Sequence, residues 1–213
     1  MNDTTHAPDT AQTPKRATRV FDWIGSPAHA YEHACFAVAR MRENDVRPSR
    51  ARLEAALFIA DVLHLNEYGR PLYGENWSAG WSGPIPSILG SVLDGDVRLE
   101  GMIRDEDARC IAFARDSLGS PDGFVHAFRE PNLRKMSQSD QEAITEGVSE
   151  IAALDPCSLV RMLRFHPAQF VGVGNRIPPT AMLKQDDPHI AEMTAQIEDI
   201  VPYVSFLRPL DQD

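Results

Sequence analysis

The sequence predicts a mainly α-helical fold, arranged as a compact multi-helix domain with a small β-hairpin. Apolar residues recur every three to four positions in several separate segments, which is the spacing of a helix that buries one side. Several of these segments begin beside a Ser-Pro, Pro-Ser or Asp-Pro pair. Such pairs favour helix starts, because the side-chain oxygen caps free N–H groups and proline tolerates the first helical turn.

The first two helices are the most clearly marked. The first is predicted to begin at Pro27, after Ser26, and to end near Asn44. One apolar stripe runs along it, formed by Tyr31, Ala34, Cys35, Val38 and Met41. The second is predicted to begin at Ser49 and to end at Gly69, where glycine can adopt the left-handed conformation of a helix C-terminus. Because apolar residues surround the second helix on nearly all sides, we expect it to be buried.

The segment that follows the second helix lacks the helical spacing of apolar residues. Residues 70–87 are rich in glycine, proline and tryptophan, and they are predicted to form a structured loop with a short extended segment. A short helix is expected over 85–93. Two strands, over 97–103 and 109–115, are predicted to form the hairpin, since an acidic turn separates them.

The C-terminal half is predicted to be helical again. A helix is expected over 139–154, and another restarts at Cys157 after an Asp-Pro pair. The inward-facing residues of the first of these are predicted to be Ile144, Val148 and Ile151. Residues 166–185 are predicted to form a loop, and a last helix opens at Asp187.

Composition and charge limit the class of protein. The 213 residues include 21 Lys and Arg against 31 Asp and Glu, a formal net charge of −10 at pH 7, which argues against a basic nucleic-acid-binding module. The 3 separated cysteines fit neither a disulfide framework nor a zinc ribbon. We expect a cytoplasmic protein without a membrane span or signal peptide. Residues 1–22 are predicted to be a flexible N-terminal tail, and 23–210 to form the domain.

One short motif matches a catalytic helix. His29, Glu32 and His33 fit the pattern H-x-x-E-H, in which two histidines hold zinc and the glutamate acts on water. At about 100° per residue, however, His29 and His33 are expected opposite the apolar stripe, facing solvent instead of a closed site. We therefore predict a solvated helix face with no metal, no cofactor and no catalytic residue. A zinc-dependent hydrolase remains an alternative.

Two features suggest contact with another protein. The first is an acidic stripe on the helix predicted over 139–154, where Glu142, Glu146 and Glu150 recur at intervals of four. Such a stripe could raise the association rate of a basic partner, although a solubilising surface is the plainer interpretation.

The second feature is the loop over 70–87. It carries four residues of the types that dominate interface hot spots, namely Arg70, Tyr73, Trp77 and Trp81. A tryptophan in a loop of this composition can equally be a core plug that holds the loop down.

A longer pattern runs from Leu53 to Leu93. A Leu-rich helix is followed by a Gly-Arg-Pro-Leu turn, and then by an aromatic loop that ends in Gly-Pro before a further helix. These elements are Leu53, Leu57, Phe58 and Ala60, then Gly69, Arg70, Pro71 and Leu72, then Trp81, Gly83, Pro84, Ile85 and Pro86. In this order they resemble the central signature of the Panacea domain, the family of the SocA-type antitoxins. Further along, the family's C-terminal Leu, His and Trp pattern is similar to Leu163, His166 and Phe170.

This resemblance implies a mostly helical antitoxin that binds a cognate toxin protein directly and neutralises it. In one branch of the family it implies instead an adaptor that delivers the toxin to a Clp-type protease. The main alternative is a DNA-binding transcriptional regulator, because Arg47, Arg50 and Arg52 surround a junction between two helices that could mimic a helix-turn-helix. The net charge opposes that alternative, so nucleic acid is not an expected partner.

Overall fold

The computed structural model describes residues 25–94, 111–114 and 123–205. The helices are α1 (Pro27–Glu43), α2 (Arg50–Tyr68), α3 (Ile88–Asp94), α4 (Gln138–Ala152), α5 (Pro156–Arg164) and α6 (Ile190–Ser205). The strands are β1 (Trp77–Ala79), β2 (Pro84–Pro86), β3 (Ile111–Ala114) and β4 (Phe124–Ala127). The prediction of a mainly α-helical fold with a small β-hairpin is confirmed. The predicted tail over 1–22 and the predicted strand over 97–103 lie outside the described residues.

Helices α1 and α2 form where the start signals place them. The Ser26 hydroxyl oxygen accepts the N–H of His29 at the start of α1, and the Ser49 hydroxyl oxygen accepts the N–H of Arg52 at the start of α2. Helix α2 ends at Gly69, which is left-handed with φ 65°. The apolar stripe of α1 is buried, as predicted.

Helix α2 is the centre of the fold and runs antiparallel to α4. At the N-terminal end of α2, the Arg52 guanidinium donates to the carbonyl oxygens of Ile151 at 3.0 Å and Leu154 at 2.6 Å, where α4 ends. At the opposite end, His64 lies beside Asp140 in the first turn of α4. Arg52 therefore supplies hydrogen bonds to carbonyls that a helix C-terminus leaves unpaired.

The backbones of the two helices come into direct contact at Gly147 in the middle of α4. A Cβ atom at this position would overlap the Ala56 carbonyl oxygen and lie 3.0 Å from the amide nitrogen of Ala60. Ile144, Val148 and Ile151 are buried around this contact, as predicted. The close approach of backbone to backbone is thus possible because glycine and two alanines meet there.

Two antiparallel hairpins lie beside the helices. Strands β1 and β2 pair Trp77 with Pro86, inside the segment predicted to be a loop with a short extended part. Because Ile85 and Pro86 belong to β2, helix α3 begins at Ile88, and the prediction that it begins at residue 85 is wrong.

In the second hairpin, β3 pairs Ile111 with Ala127 of β4. Strand β3 falls within the predicted strand over 109–115, but β4 was not predicted, since no element is assigned between residues 115 and 139 from the sequence. Four residues are too few for an alternating pattern to stand out. The position of β4 depends instead on a tertiary contact, because the N–H of Val125 donates to the carbonyl of Pro48 at 2.9 Å.

The C-terminal part follows the prediction with small shifts. Helix α5 begins at Pro156, with the Asp155 carboxylate accepting the N–H groups of Cys157 and Ser158. The segment predicted as loop contains two single turns of 3₁₀ helix, Pro167–Val171 and Pro179–Met182, before α6 begins. No helix among the described residues has both the length and the apolar character needed to cross a membrane.

Candidate interaction surface

A buried carboxylate on α2 anchors the loop that follows it. Asp61 accepts hydrogen bonds from the Leu72 N–H at 2.8 Å and from the Trp77 indole N–H at 2.7 Å. Burial raises the pKa of Asp61 above its usual value, although both hydrogen bonds act in the opposite direction. The Trp77 ring also packs edge-on against Phe58, with ring centroids 5.2 Å apart. Trp77 therefore fixes the loop to the core through both its ring and its N–H.

A second buried carboxylate anchors the other end of the same loop. Glu75 accepts the backbone N–H groups of Asn76, Ser87, Ile88 and Leu89 at distances of 2.8 to 2.9 Å. Three of these four groups lie at the start of α3, where N–H groups have no partner within the helix. Burial raises the pKa of Glu75, and the four hydrogen bonds oppose that rise.

A third carboxylate joins three helices. Asp140 of α4 lies 3.2 Å from the Nε2 atom of His64 on α2 and 3.7 Å from the Nε2 atom of His33 on α1. Each imidazole forms a hydrogen bond from Nδ1 to a backbone carbonyl oxygen. His64 binds the carbonyl of Arg70 at 2.9 Å, and His33 binds the carbonyl of His29 at 2.6 Å. Because a carbonyl can only accept, each Nδ1 carries a proton and each Nε2 faces the carboxylate.

The pKa of Asp140 reflects these contacts. Burial raises it, but the adjacent His33 and His64 side chains and the hydrogen bond from the Ser137 N–H lower it by more, so the pKa lies well below its usual range. The Ser139 hydroxyl also lies 3.2 Å from His64 Nε2, the distance of a nucleophile from its base. In a catalytic triad the carboxylate orients the ring through Nδ1, whereas Asp140 faces Nε2 and competes with the hydroxyl. The arrangement is therefore suited to holding three helices together.

The structure corrects the prediction for the H-x-x-E-H motif. His33 was expected to face solvent, but its exposed fraction is 1%, and Glu32 is buried as well; only His29 is exposed. The reason is that α4 covers the polar side of α1 at His33, while Arg129 covers it at Glu32, with its guanidinium 2.7 Å from the carboxylate. The described residues contain no group of three His, Cys, Asp or Glu side chains placed to hold a metal ion.

Five large apolar side chains are exposed on backbone segments that adjoin one another, and we call this set the aromatic face. Its members are Trp81, Ile85, Phe165, Phe170 and Val173. Trp81 and Phe170 each expose 76% of their surface, and Phe165 exposes 63%. Exposed apolar residues that gather in one place are typical of interaction sites, whereas isolated ones are common on any surface.

The backbone brings these residues together around the turn between β1 and β2. On one side of the turn, Gly83 packs so closely on α5 that an added Cβ would lie 2.9 Å from the Cβ of Leu163. On the other side, the Ala79 carbonyl accepts the N–H of Gly174 at 2.7 Å, and the Ala79 N–H donates to Asn175 at 2.8 Å. Trp81 therefore lies between the end of α5 and the segment that carries Phe170 and Val173.

The four predicted contact residues of the loop are divided between core and surface. Tyr73 and Trp77 are buried, with exposed fractions of 6% and 2%, so neither is on the surface, and Trp77 is the core plug that the sequence analysis also considered. Arg70 is half-exposed, and its guanidinium donates to the Ser139 hydroxyl at 3.2 Å. Trp81 is the one of the four that stands free in solvent.

The predicted acidic stripe is present on α4. Glu142, Glu146 and Glu150 are all exposed, on the side of the helix opposite its buried residues. Glu142 and Glu146 also line a shallow groove with Phe36, Arg40 and Leu133. The stripe and the aromatic face use different elements, α4 for the former and β1, β2 and α5 for the latter.

Most residues of the aromatic face are not among the contact residues predicted from the sequence. Phe165, Phe170 and Val173 lie in or next to the segment predicted as loop, where three large apolar residues are interrupted by Pro, Gly and Gln. A loop that carries so many large apolar residues was the available signal. This signal does not distinguish exposed from buried residues, because Ile177 and Met182 of the same stretch are buried.

The arginines that suggested a helix-turn-helix are engaged within the fold. Arg50 pairs with Glu54 and Asp94, Arg52 binds the end of α4, and the guanidinium of Arg47 lies 3.5 Å from the centre of the Phe124 ring. Each of these three arginines therefore has a contact within the fold.

Comparison with models of known families, with curated proteins and with solved structures finds no match to this chain.

Proposed function

We propose that this protein is an antitoxin, which neutralises a cognate toxin by binding it directly and catalyses no reaction. The observation that supports the proposal is the aromatic face. Its members Trp81 and Phe170 are exposed to solvent, and the backbone around Trp81 is fixed by contacts with the core and with α5. Tryptophan and other large side chains in a rigid setting dominate the binding energy of protein interfaces. The resemblance of residues 53–93 to the Panacea signature supplies the class of partner.

The anchoring of the loop supports this proposal. Asp61 and Glu75 bind the two ends of the segment that carries Trp81, so the backbone of this segment is fixed at both ends before a partner arrives. A preorganised contact residue loses less conformational freedom on binding, and this raises affinity. Among the described residues, the buried carboxylates Glu32, Asp61, Glu75 and Asp140 are each used in a structural contact, whereas the aromatic face is exposed.

The experiment is coexpression with the neighbouring reading frames. A small adjacent gene whose expression alone arrests growth, and whose effect this protein relieves, would be the cognate toxin. We expect Trp81→Ala and Phe170→Ala to abolish the relief while leaving the free energy of unfolding within about 0.5 kcal/mol, because both side chains are exposed. Phe128→Ala is the matched control, since Phe128 is 69% exposed but follows β4, a strand that carries no residue of the aromatic face. Relief that survives both face variants, or that Phe128→Ala removes equally, would contradict the proposal.

The same cells test the two finer expectations. If the protein delivers the toxin to a Clp-type protease, toxin levels fall only in cells with that protease, whereas simple binding leaves the levels unchanged. If the acidic stripe steers a basic toxin, the triple variant Glu142→Lys, Glu146→Lys, Glu150→Lys slows association, and added salt slows association of the original protein in the same way. Unchanged association of the triple variant would remove the stripe from the interface.

A further inference from the structure

We infer that the aromatic face binds an acidic partner segment, in which carboxylate side chains flank an apolar one. This inference rests on the proposed function and adds the chemistry of the partner at this site. It comes from the charges around the face, which differ in sign from those of the molecule as a whole.

The chain around the face is basic and lacks acidic residues. Residues 156–185 contain no Asp and no Glu, although the whole chain has a net charge of −10. The basic residues of this stretch are Arg161, Arg164, Arg176 and Lys184. At physiological salt, charges act over about 8 Å, so the cations beside Phe165, Arg161 and Arg164, act directly on a segment bound there.

Helix α5 places its cations and its apolar residues on one side. Leu159 and Leu163 face the core, and the outward side presents Val160, Arg161, Arg164 and Phe165. These four positions recur at helical spacing, which puts each arginine beside an apolar neighbour. A shallow depression next to them is lined by Ser158, Arg161, Met162 and Phe165.

The two arginines are available for a partner. Arg40 and Arg50 form ion pairs within the fold, whereas no ion pair joins Arg161 or Arg164 to any described residue. A guanidinium can bind a carboxylate through two parallel hydrogen bonds, while the apolar part of its side chain lies along a neighbouring ring. An apolar residue between Trp81 and Phe165, with carboxylates on either side, would use both properties.

A nucleic acid fits this face less well than an acidic protein segment. Single-stranded nucleic acid also stacks on aromatic rings, but it carries a charge at every nucleotide and needs a basic groove that follows its backbone. Here the cations are few, and the same molecule presents an acidic stripe on α4. A short segment with two or three carboxylates needs only the cations at the face.

The experiment selects random twelve-residue peptides, displayed on phage, against the full chain. We expect the enriched peptides to combine an aromatic or aliphatic residue with nearby Asp or Glu. Selection against the double variant Arg161→Glu, Arg164→Glu should replace the acidic residues by Lys and Arg. A synthetic acidic peptide from the first selection should bind this variant about tenfold more weakly, a change of about 1.4 kcal/mol, because both surface ion pairs are lost. Trp81→Ala should lose the peptide, and Glu146→Lys should bind it unchanged.

Several results would overturn the inference. The first is that the original protein enriches no peptide relative to the Trp81→Ala variant, and the second is that the charge-reversed variant selects the same peptides. The third is that single-stranded DNA competes with the acidic peptide for the protein. The fourth is that the chain associates with itself and that Trp81→Ala abolishes this association. The relief of toxicity, measured in parallel, separates this inference from the proposed function. If acidic peptides are selected but no neighbouring gene is toxic, the proposed function alone is refuted. If the relief of toxicity is unaffected by charge reversal at both arginines, the inference alone is refuted.

Discussion

The contact between α2 and α4 gives a prediction with an internal control, because the described helices contain two glycines in opposite surroundings. At Gly147 an added methyl group would overlap the Ala56 carbonyl and stand 3.1 Å from the Ala60 Cβ, both on the facing helix. To restore ordinary contact, α2 must move by roughly an ångström, and a gap of that size removes a quarter to a half of the dispersion energy of neighbouring contacts. At Gly90 in α3 the methyl group would meet only an Arg50 nitrogen at 3.7 Å, which is an ordinary contact.

The two alanine substitutions should therefore change stability in opposite directions. Overpacking typically costs about 1–3 kcal/mol, and alanine recovers up to about 1 kcal/mol of helix propensity, so Gly147→Ala should lower the free energy of unfolding by about 1–2 kcal/mol. Gly90→Ala gains helix propensity without the cost of overpacking, so it should raise the free energy of unfolding by about 0.5–1 kcal/mol. Urea unfolding followed by far-ultraviolet circular dichroism measures both, with similar slopes expected for each. A Gly147→Ala protein as stable as the original, or a shift of the same sign at both positions, would refute the close approach of the two backbones.

Two further predictions concern the buried carboxylates. Because the pKa of Asp140 is lowered in the folded protein, the unfolded chain takes up a proton first as the pH falls, and the stability that this carboxylate contributes is lost below about pH 4. Asp140→Asn should thus be less stable than the original protein at pH 5, with a difference that narrows by pH 2.5; a constant difference would show that the charge of Asp140 contributes nothing. Trp77→Phe keeps an aromatic ring but removes one of the two hydrogen bonds to Asp61, and it should cost about 1–3 kcal/mol of unfolding free energy. Trp81→Phe, at the exposed position, should change it by less than about 0.5 kcal/mol, and equal effects at the two tryptophans would contradict the assignment of Trp77 to the core.

The parts of the fold that the sequence predicts well are governed by local chemistry. The caps at Ser26 and Ser49 and the left-handed Gly69 lie where short-range rules place them, since each depends only on its own backbone and side chain. The inward side of α4 follows from apolar spacing in the same way.

What the sequence could not predict depends on elements far apart in the chain. Helix α1 has one apolar stripe, yet Glu32 and His33 on its polar side are buried as well, because Arg129 and Asp140 lie about one hundred residues away and cover them. A helical pattern indicates which side is apolar, but it does not indicate that a charged partner will cover the other side.

The division between Trp77 and Trp81 has the same origin. The two lie four residues apart in a loop of uniform composition, and no local rule separates them. Asp61, eleven residues before Leu72, decides between them, because its carboxylate accepts the indole N–H of one and leaves the other outside. The sequence could locate the candidate surface to the right loop, but the exposed member was identified only in the fold.

The same carboxylates explain why an exposed tryptophan can keep a defined position on a glycine-rich turn. Apolar contacts are non-directional, so a loop held only by burial can slide, whereas a carboxylate that accepts named N–H groups fixes the path of the backbone. Asp61 fixes the start of the loop through Leu72 and Trp77, and Glu75 ties its start to its end through the N–H groups at the beginning of α3. Trp81 lies between the two anchors, and Gly83 packs against α5 beside it. Most of the conformational freedom that a binding loop must lose is therefore already lost when the protein folds, which is the condition under which a small set of exposed aromatic residues can bind a partner strongly.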